Sequence, residues 1–332
     1  MARLRRVNPS MRGWTRRRAG TGFAYRDADG RPLPAEEVER IRSRAIPPAW
    51  KDVWICPLAN GHIQAVGTDD AGRRQYLYHP DWRVKRDKQK FDRVLAAAAD
   101  LPRARRQVAK DLAAAGMPRE KAAAVAVRLL DLGYFRIGSD AYADANGSFG
   151  LTTLERQHVR KSREGLRFCF VGKSGVEHTI TIDDADVIAA LDRMRARRCR
   201  SRRLLAYSDR RRWVDLDAAA VNAYLAEVLG GDLTAKDFRT WHGTVLAAAA
   251  LAASEEPGDT KASRRRAVRS AVEEVAAYLG NTPAIAKGSY IDPRVLDLYE
   301  AGTTITPPRV TARTSPMRRQ ELLEKAVLEL LA

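Results

Sequence analysis

One tyrosine near the end of the chain, Tyr290, lies in the segment GNTPAIAKGSYIDP at residues 280–293, shortly after a predicted helix break. The residues before it, Lys287-Gly288-Ser289, predict a small and flexible approach. Tyr290 is a core aromatic, a surface residue or a nucleophile. A free tyrosine has a pKa near 10, so only about one in a thousand is phenolate at pH 7. A nucleophilic Tyr290 therefore requires cationic neighbours.

Cationic side chains are abundant throughout the sequence. Of 332 residues, 59 are Lys or Arg and 41 are Asp or Glu, which gives a formal net charge of +18. Such an excess is typical of proteins that bind a polyanion, and nucleic acid is the first candidate. Attack on a phosphodiester builds negative charge on its oxygens. Guanidinium groups stabilise the non-bridging oxygens, and an ammonium group protonates the departing one.

The sequence lacks the residue patterns of nucleotide-binding loops, Ser-His-Asp hydrolases and metal sites. There is no glycine-rich nucleotide loop and no Ser-His-Asp pattern, and three cysteines without metal-type spacing predict a reduced, cytoplasmic setting. The longest apolar run, VLAAAALAA at 245–253, is too short to span a membrane and predicts a buried helix. The histidines form neither HxxxH nor HExxH pairs, so we expect no metal or other cofactor; they are His62, His79, His158, His178 and His242.

Two arginine-rich stretches predict contact with solvent or phosphate. Residues 1–20 contain seven Arg and no acid and lack the apolar core of a secretory signal. We interpret them as a basic arm, with an organelle transit peptide as the alternative. The run RMRARRCRSRR at 193–203 is also free of acids and is expected to face outward.

The hydrophobic pattern predicts an α+β protein with two domains and a basic, amphipathic tail at 309–332. Residues 21–82 form a small β-rich domain with one helix at 34–46, and residues 83–308 form a mainly α-helical domain. A β-hairpin at 165–183 interrupts the helices, with Gly172-Lys173-Ser174-Gly175 as its turn. Later helices are predicted at 184–197, 217–229, 234–253 and 261–279.

Four short motifs carry the required residue types in one order along the chain. They are YFRIGSDAYA with Arg136, FVGKSG with Lys173, KDFRTWHG with Arg239, and LGNTPAIAKGSY with Asn281 and Tyr290. Together they resemble the type IB DNA topoisomerases, in particular the poxvirus and bacterial branch. The resemblance covers roughly residues 20–305, including the order of the β-rich domain, helical domain, hairpin and late tyrosine.

The resemblance implies a role for each motif residue. Tyr290 matches the nucleophile that forms a 3′-phosphotyrosyl link, and Lys173 matches the general acid for the 5′ oxygen. Arg136 and Arg239 match the two arginines that contact the scissile phosphate. Asn281 occupies a position where many relatives carry histidine, so it offers a neutral donor in place of an imidazole. His242, three residues after Arg239, is a second candidate for that missing histidine.

Further positions resemble the family's DNA contacts. In RRQYLYHPDW, the matching residues are Gln75, Tyr76 and Tyr78, with a pair of core tyrosines as the alternative interpretation. Tyr142 and Ser139 match DNA-contacting positions after Arg136, where Ser139 replaces a basic residue.

The resemblance implies a monomer that closes as a clamp around duplex DNA. We expect it in the cytoplasm, associated with the nucleoid, and we expect no membrane partner. It would relax supercoils through cleavage, strand rotation and religation, without ATP or metal. Two alternatives stay open at this point. A tyrosine recombinase would share the chemistry but assemble as a tetramer, and a non-enzymatic DNA-binding protein would explain the charge alone.

Overall fold

The computed structural model of the chain describes residues 3–133, 135–140, 143, 147–210, 212–231, 233–254, 260–311 and 313–332. It divides into two compact units, Met1–Lys90 and Phe91–Ala332. The first unit is rich in strands and the second is mainly helical, so the predicted α+β class is confirmed. The boundary predicted at residue 82 and the observed division both fall within helix α2, Pro80–Ala98.

The first unit is one antiparallel sheet with a helix against it. Its strands follow the order β2-β1-β3-β4-β5 across the sheet. Helix α1, Ala35–Ser43, contributes Ile41 to a small core with Val53 and Ile55. The strands are β1 (Trp14–Ala19), β2 (Gly22–Arg26), β3 (Lys51–Ile55), β4 (Ile63–Thr68) and β5 (Arg74–Tyr78).

Part of the segment predicted as a basic arm, residues 1–20, belongs to this sheet. Strand β1 pairs with both β2 and β3, and Arg5 forms a parallel bridge with Gly61. Arg16 donates to the backbone carbonyls of Ile46 and Trp50, at 3.1 and 2.8 Å. The difference arises because some of these arginines satisfy carbonyl groups of the fold, whereas the prediction treated all of them as solvated cations.

The second unit is built around helix α4, Arg119–Gly133, whose residues from Ala122 to Val127 are all buried. The helices predicted after the hairpin are confirmed, with ends that differ by at most one residue. Among the described residues, no helix is both long and apolar enough to cross a membrane. The other helices are α3 (Leu101–Leu112), α5 (Ala185–Ala196), α6 (Ala218–Leu229), α7 (Ala235–Ala252), α8 (Lys261–Leu279), α9 (Pro283–Ser289), α10 (Pro293–Glu300) and α11 (Pro316–Leu331).

The predicted hairpin is confirmed and belongs to a three-stranded sheet. Strand β7, Gly165–Val171, lies between β6, Val159–Ser162, and β8, Glu177–Ile182. A second hairpin, formed by β9 (Ala206–Asp209) and β10 (Arg212–Asp215), was not predicted. The sequence analysis did not identify β6, β9 or β10, because each has only four residues and is too short to show a clear alternation of apolar and polar side chains.

The arginine run at 193–203 is partly internal. Arg197 is buried and donates to the carbonyls of Met194 and Leu204, at 2.6 and 3.0 Å. Arg156 donates to the carbonyls of Arg197 and Ser201, at 3.1 and 2.6 Å. The prediction that the whole run faces outward is therefore wrong for Arg197, because the loop winds around its guanidinium.

Helix α11, within the predicted tail, is docked on the second unit through a buried ion-pair network. Arg105 donates to Asp131 at 2.8 and 2.9 Å and to Glu324 of α11 at 2.6 and 2.9 Å. His242 Nε2 lies 3.2 Å from Asp131, and its Nδ1 lies 3.1 Å from Gln320. Burial opposes ionisation of Asp131, but Arg105 and then His242 lower its pKa well below the usual range.

The same cluster has the composition of a metal site. Ligand atoms of Asp131, His242 and Glu324 lie within 4.8 Å of one another. The guanidinium of Arg105, however, already engages both oxygens of each carboxylate. We therefore interpret the cluster as an ion-pair network that holds α11 against α3, α4 and α7.

Replacing Glu324 with alanine should lower the free energy of unfolding by about 3 kcal/mol, because it leaves part of the buried Arg105 charge uncompensated. Denaturant unfolding of the purified protein measures this loss. Glu329→Ala on the same helix is the matched control, since its partner Lys325 lies 3.8 Å away and their side chains are 68% and 75% exposed. The control should change stability by about 0.5 kcal/mol or less. Equal effects of the two variants would contradict a structural role for the network.

Candidate active site

Two of the predicted arginines meet at the carboxyl end of helix α8. The helix ends at Gly280, which adopts the left-handed conformation with φ 59° and ψ 51°. The last carbonyl groups of a helix lack intrahelical donors and carry the negative end of its dipole. Arg239 donates to the carbonyl of Leu279 at 2.5 Å, and Arg136 donates to that of Gly280 at 2.9 Å.

Aromatic packing and backbone pairing position Arg136 just beyond helix α4. The preceding residue, Phe135, is buried, with its ring centroid 5.2 Å from Phe168 and 5.9 Å from Phe170. The carbonyl of Arg136 accepts a hydrogen bond from the backbone of Leu151 at 2.7 Å. Arg136 is therefore positioned by the three-stranded sheet, through Phe135, and by the 3₁₀ turn that begins at Leu151.

Asn281 has one end of its amide engaged and the other open. Its Oδ1 accepts a hydrogen bond from Arg136 at 2.8 Å. A guanidinium can only donate, so this contact assigns the oxygen and orients Nδ2 away from Arg136. Within the described part of the chain, Nδ2 is buried and has no hydrogen-bond acceptor. A buried donor without an acceptor suits an incoming anionic oxygen.

Tyr290 follows a short helix rather than a flexible approach. Helix α9 begins after Thr282, whose side chain accepts from the backbone of Ile285 at 3.4 Å, and it has Pro283 in its first turn. It continues through Ser289, with Tyr290 at its C-cap. The prediction of a flexible Lys287-Gly288-Ser289 segment is thus wrong, because the Thr-Pro start signal and two hydrogen-bonded turns outweigh the single glycine.

Helix α7 is in direct contact with the backbone of Tyr290. Thr244 Oγ1 donates to the carbonyl of Tyr290 at 3.4 Å. A β-carbon placed on Gly243 would lie 2.8 Å from that carbonyl oxygen and 3.3 Å from Cβ of Tyr290. One turn earlier, the guanidinium carbon of Arg239 lies 5.3 Å from the centroid of the Tyr290 ring.

The two guanidinium groups create the cationic neighbourhood that a tyrosine nucleophile needs. Burial lowers the pKa of Arg239 to about 10, and the charge of Arg136 adds to this, while Tyr290 partly offsets both. Burial also lowers the pKa of Arg136, again with an opposing contribution from Tyr290. A pKa near 10 leaves Arg239 protonated at neutral pH, so both side chains remain cations beside Tyr290.

A cavity of about 420 Å³ opens beside these residues and includes a histidine that the sequence analysis did not select. His178 lies on β8, where His178, Ile180 and Ile182 share the less exposed face. A single polar residue in an otherwise apolar alternation was the available signal. Other residues around the cavity are Arg136, Arg239, Phe135, Phe170 and Tyr278.

Lys173 lies at the tip of the hairpin between β7 and β8, in a single 3₁₀ turn at Lys173–Gly175. It is exposed, and no hydrogen bond or ion pair of its side chain occurs among the described residues. The structure thus brings together Arg136, Arg239, Asn281 and Tyr290, and Lys173 lies on a different element, the hairpin turn. His242 is not part of this group, because it is buried in the Arg105 network.

The residues predicted to contact DNA in the first unit lie on strand β5. Tyr76 and Tyr78 are 44% and 37% exposed, with stacked rings 6.2 Å apart, so they are not core residues. Gln75 lies on the opposite face and donates to Asp69 at 2.9 Å. In the second unit, Ser139 is exposed, and Tyr142 lies outside the described residues.

Comparison with known proteins identifies the family. Residues 79–301 match the family described as eukaryotic DNA topoisomerase I, catalytic core. Residues 22–69 match the family described as bacterial DNA topoisomerase IB, N-terminal domain. The chain is 28% identical over 299 residues to DNA topoisomerase 1B of Acanthamoeba polyphaga mimivirus, covering 87% of this chain and 88% of that protein.

Poxvirus enzymes share a shorter region with the chain. DNA topoisomerase 1B of vaccinia virus (strain Copenhagen) is 28% identical over 118 residues, which are 35% of this chain and 37% of that protein. DNA topoisomerase I of monkeypox virus is 27% identical over the same length, with the same coverage. The catalytic-core match spans most of the chain, and the chain therefore belongs to the type IB DNA topoisomerases, which are isomerases.

Replacing Gly243 with alanine should reduce the rate of DNA cleavage by about 10²-fold, because the new β-carbon displaces Tyr290 from its position beside Arg239. Single-turnover cleavage of a labelled duplex measures the rate. Gly288→Ala is the matched control, since nothing lies within 4 Å of a β-carbon placed there. Alanine favours both helices by about 1 kcal/mol over glycine, so reduced helix propensity cannot account for a difference. Equal rates for both variants would contradict the steric role of Gly243.

Proposed function

We propose that Tyr290 is the nucleophile of this type IB topoisomerase and attacks a phosphodiester of duplex DNA. Its oxygen forms a bond to phosphorus, the bond to the 5′ oxygen breaks, and the 3′ end stays attached as a phosphotyrosyl ester. The phenolic proton passes to solvent water during the attack, and Lys173 gives a proton to the departing 5′ oxygen. Religation is the reverse reaction, so no external energy source is needed.

The arrangement around Tyr290 carries this proposal. Two guanidinium groups lie beside the tyrosine, and the buried Nδ2 of Asn281 still lacks an acceptor among the described residues. A phosphate oxygen placed there would receive a hydrogen bond from Asn281 while Arg136 and Arg239 offset the developing charge. The three groups would thus favour the pentacoordinate transition state over the starting diester.

Binding of the duplex is proposed to involve both units. The exposed, stacked Tyr76 and Tyr78 offer aromatic and hydroxyl groups to the DNA, and the net charge of +18 attracts its phosphates. We propose a monomer that closes as a clamp on DNA and works in the cytoplasm at the nucleoid. ATP and metal ions have no step in this scheme, since the phosphotyrosyl ester conserves the energy of the phosphodiester bond that is broken.

Replacing Tyr290 with phenylalanine should abolish covalent attachment to DNA and leave binding intact, because only the hydroxyl group is removed. A nicked suicide duplex followed by denaturing gel electrophoresis measures the adduct, and gel shift measures binding. The wild-type protein in excess EDTA is the parallel control and should relax a supercoiled plasmid at its full rate. Plasmid relaxation by the variant, or its loss from the wild type on chelation, would contradict the scheme.

The assembly on DNA tests the competing views of the function. A monomer on a single duplex, measured by analytical ultracentrifugation during cleavage, is expected for a topoisomerase clamp. A tetramer that joins two duplexes would indicate a recombinase. An intact duplex with no adduct at any protein concentration would indicate a binding protein without enzymatic activity.

Replacing Asn281 with alanine should slow cleavage and religation alike by about 10²-fold, because one donor to the transition state is lost in both directions. Asn281→Asp sharpens the test, since it keeps the acceptor for Arg136 but exchanges the open donor for an anionic oxygen. It should be slower than the alanine variant, whereas Asn281→His should be tolerated. If Asn281 only ends helix α8, all three variants would cleave at nearly the wild-type rate and lose about 1 kcal/mol of stability or less.

A further inference from the structure

The position of the proposed general acid is not set by its own contacts. Lys173 is exposed, and the described residues provide no hydrogen bond or ion pair to its side chain. Its turn is short and includes Ser174 in the left-handed conformation, with φ 65°. General acid catalysis nevertheless requires the ammonium group within hydrogen-bond reach of the leaving oxygen. Some other contact must therefore hold the turn next to the Tyr290 site.

The ring of His178 contacts both the hairpin turn, at Gly172, and the end of helix α8, at Gly280. A β-carbon placed on Gly172, directly before Lys173, would lie 2.6 Å from Cδ2 and 2.7 Å from Nε2 of the ring. A β-carbon placed on Gly280, directly before Asn281, would lie 2.6 Å from Cε1 of the same ring. One imidazole thus fills the space between the backbone of the hairpin turn and the carboxyl end of helix α8.

The ring itself is held in place and remains uncharged. It stacks on Phe170, the residue opposite in the strand register, with ring centroids 5.1 Å apart and planes at 24°. Burial lowers the pKa of His178, and the charges of Arg136 and Arg239 lower it further. A neutral imidazole at physiological pH can lie next to two guanidinium groups without repulsion, and it behaves as a flat aromatic spacer.

We infer that His178 is a positioning residue that holds the Lys173 turn at a fixed distance from the hydrogen-bonded pair of Arg136 and Asn281. This inference rests on the proposed function of Lys173 as the general acid. It differs from a direct role in phosphate binding, because the ring acts through the backbone of Gly172. It also differs from general packing, because only the step that needs the acid should depend on the ring.

The decisive experiment compares two leaving groups. Single-turnover cleavage is measured on a duplex with the normal 5′ oxygen at the scissile phosphate and on one with a bridging 5′ sulfur, whose thiolate leaves without a proton. His178→Ala should cleave the oxygen substrate about 10²-fold more slowly than wild type and the sulfur substrate within about threefold of wild type. On the oxygen substrate, the double variant with Lys173→Ala should be no slower than Lys173→Ala alone.

Gly172→Ala approaches the same contact from the opposite side. The backbone at Gly172, with φ −96° and ψ −166°, accepts alanine without strain, so its new β-carbon affects only the His178 ring. The variant should show the same selective defect on the oxygen substrate. Combining it with His178→Ala removes the clash, and the double variant should be no slower than His178→Ala. Thermal melting and gel shift on each variant confirm that folding and DNA binding persist.

The outcomes separate this inference from the proposed function. Lys173→Ala is tested first, and failure of the sulfur substrate to restore its cleavage would overturn the general acid and the positioning role together. If sulfur restores Lys173→Ala but not His178→Ala, the acid stands and the positioning role is overturned in favour of a direct contact with the phosphate. Wild-type cleavage of both substrates by His178→Ala would show that the ring does not position the turn.

Discussion

Arginine donors at the carboxyl end of helix α8 form the interaction on which the rest of the site depends. Arg136 lies just beyond α4 and Arg239 lies in α7, yet they bond to adjacent carbonyl groups, of Gly280 and Leu279. A helix end supplies unpaired acceptors and a negative dipole, so it can hold two like charges close together without an acidic residue. These hydrogen bonds orient the guanidinium groups before any substrate is bound, and a guanidinium has five N–H donors in all.

Helix α7 connects this site to the buried network on its other side. Arg239, Gly243 and Thr244 contact α8 and the tyrosine segment, whereas His242 faces Asp131 and the docked helix α11. Residues 237–245 of this helix are all buried, so it cannot shift on one side without disturbing the other. The ion-pair network therefore contributes to the precision of the site as well as to stability, although it contains none of the residues proposed to react.

The features that sequence could predict are those with local causes. The break between α8 and α9 follows from Gly280, Thr282 and Pro283, because capping depends on neighbouring residues. The turn at Lys173 follows from its flanking glycines in the same way. The amide orientation of Asn281 depends on Arg136, which lies far away in the sequence, and the location of His178 depends on three separate segments. The alternation in β8 marks His178 as a polar residue on the less exposed face, but its contacts with Gly172 and Gly280 leave no sequence pattern and appear only in the folded chain.

The inward-facing arginines have a consequence for which substitutions this chain tolerates. Arg16, Arg156 and Arg197 each fork across two or three backbone carbonyl groups, which the planar guanidinium can reach simultaneously. Lysine has the same charge but concentrates its donors at one point. Replacing one of these arginines with lysine would leave the net charge unchanged. It would, however, remove hydrogen bonds that hold the loop at 197–205 or the start of the first sheet. Arginine content here is thus constrained by architecture in addition to affinity for phosphate.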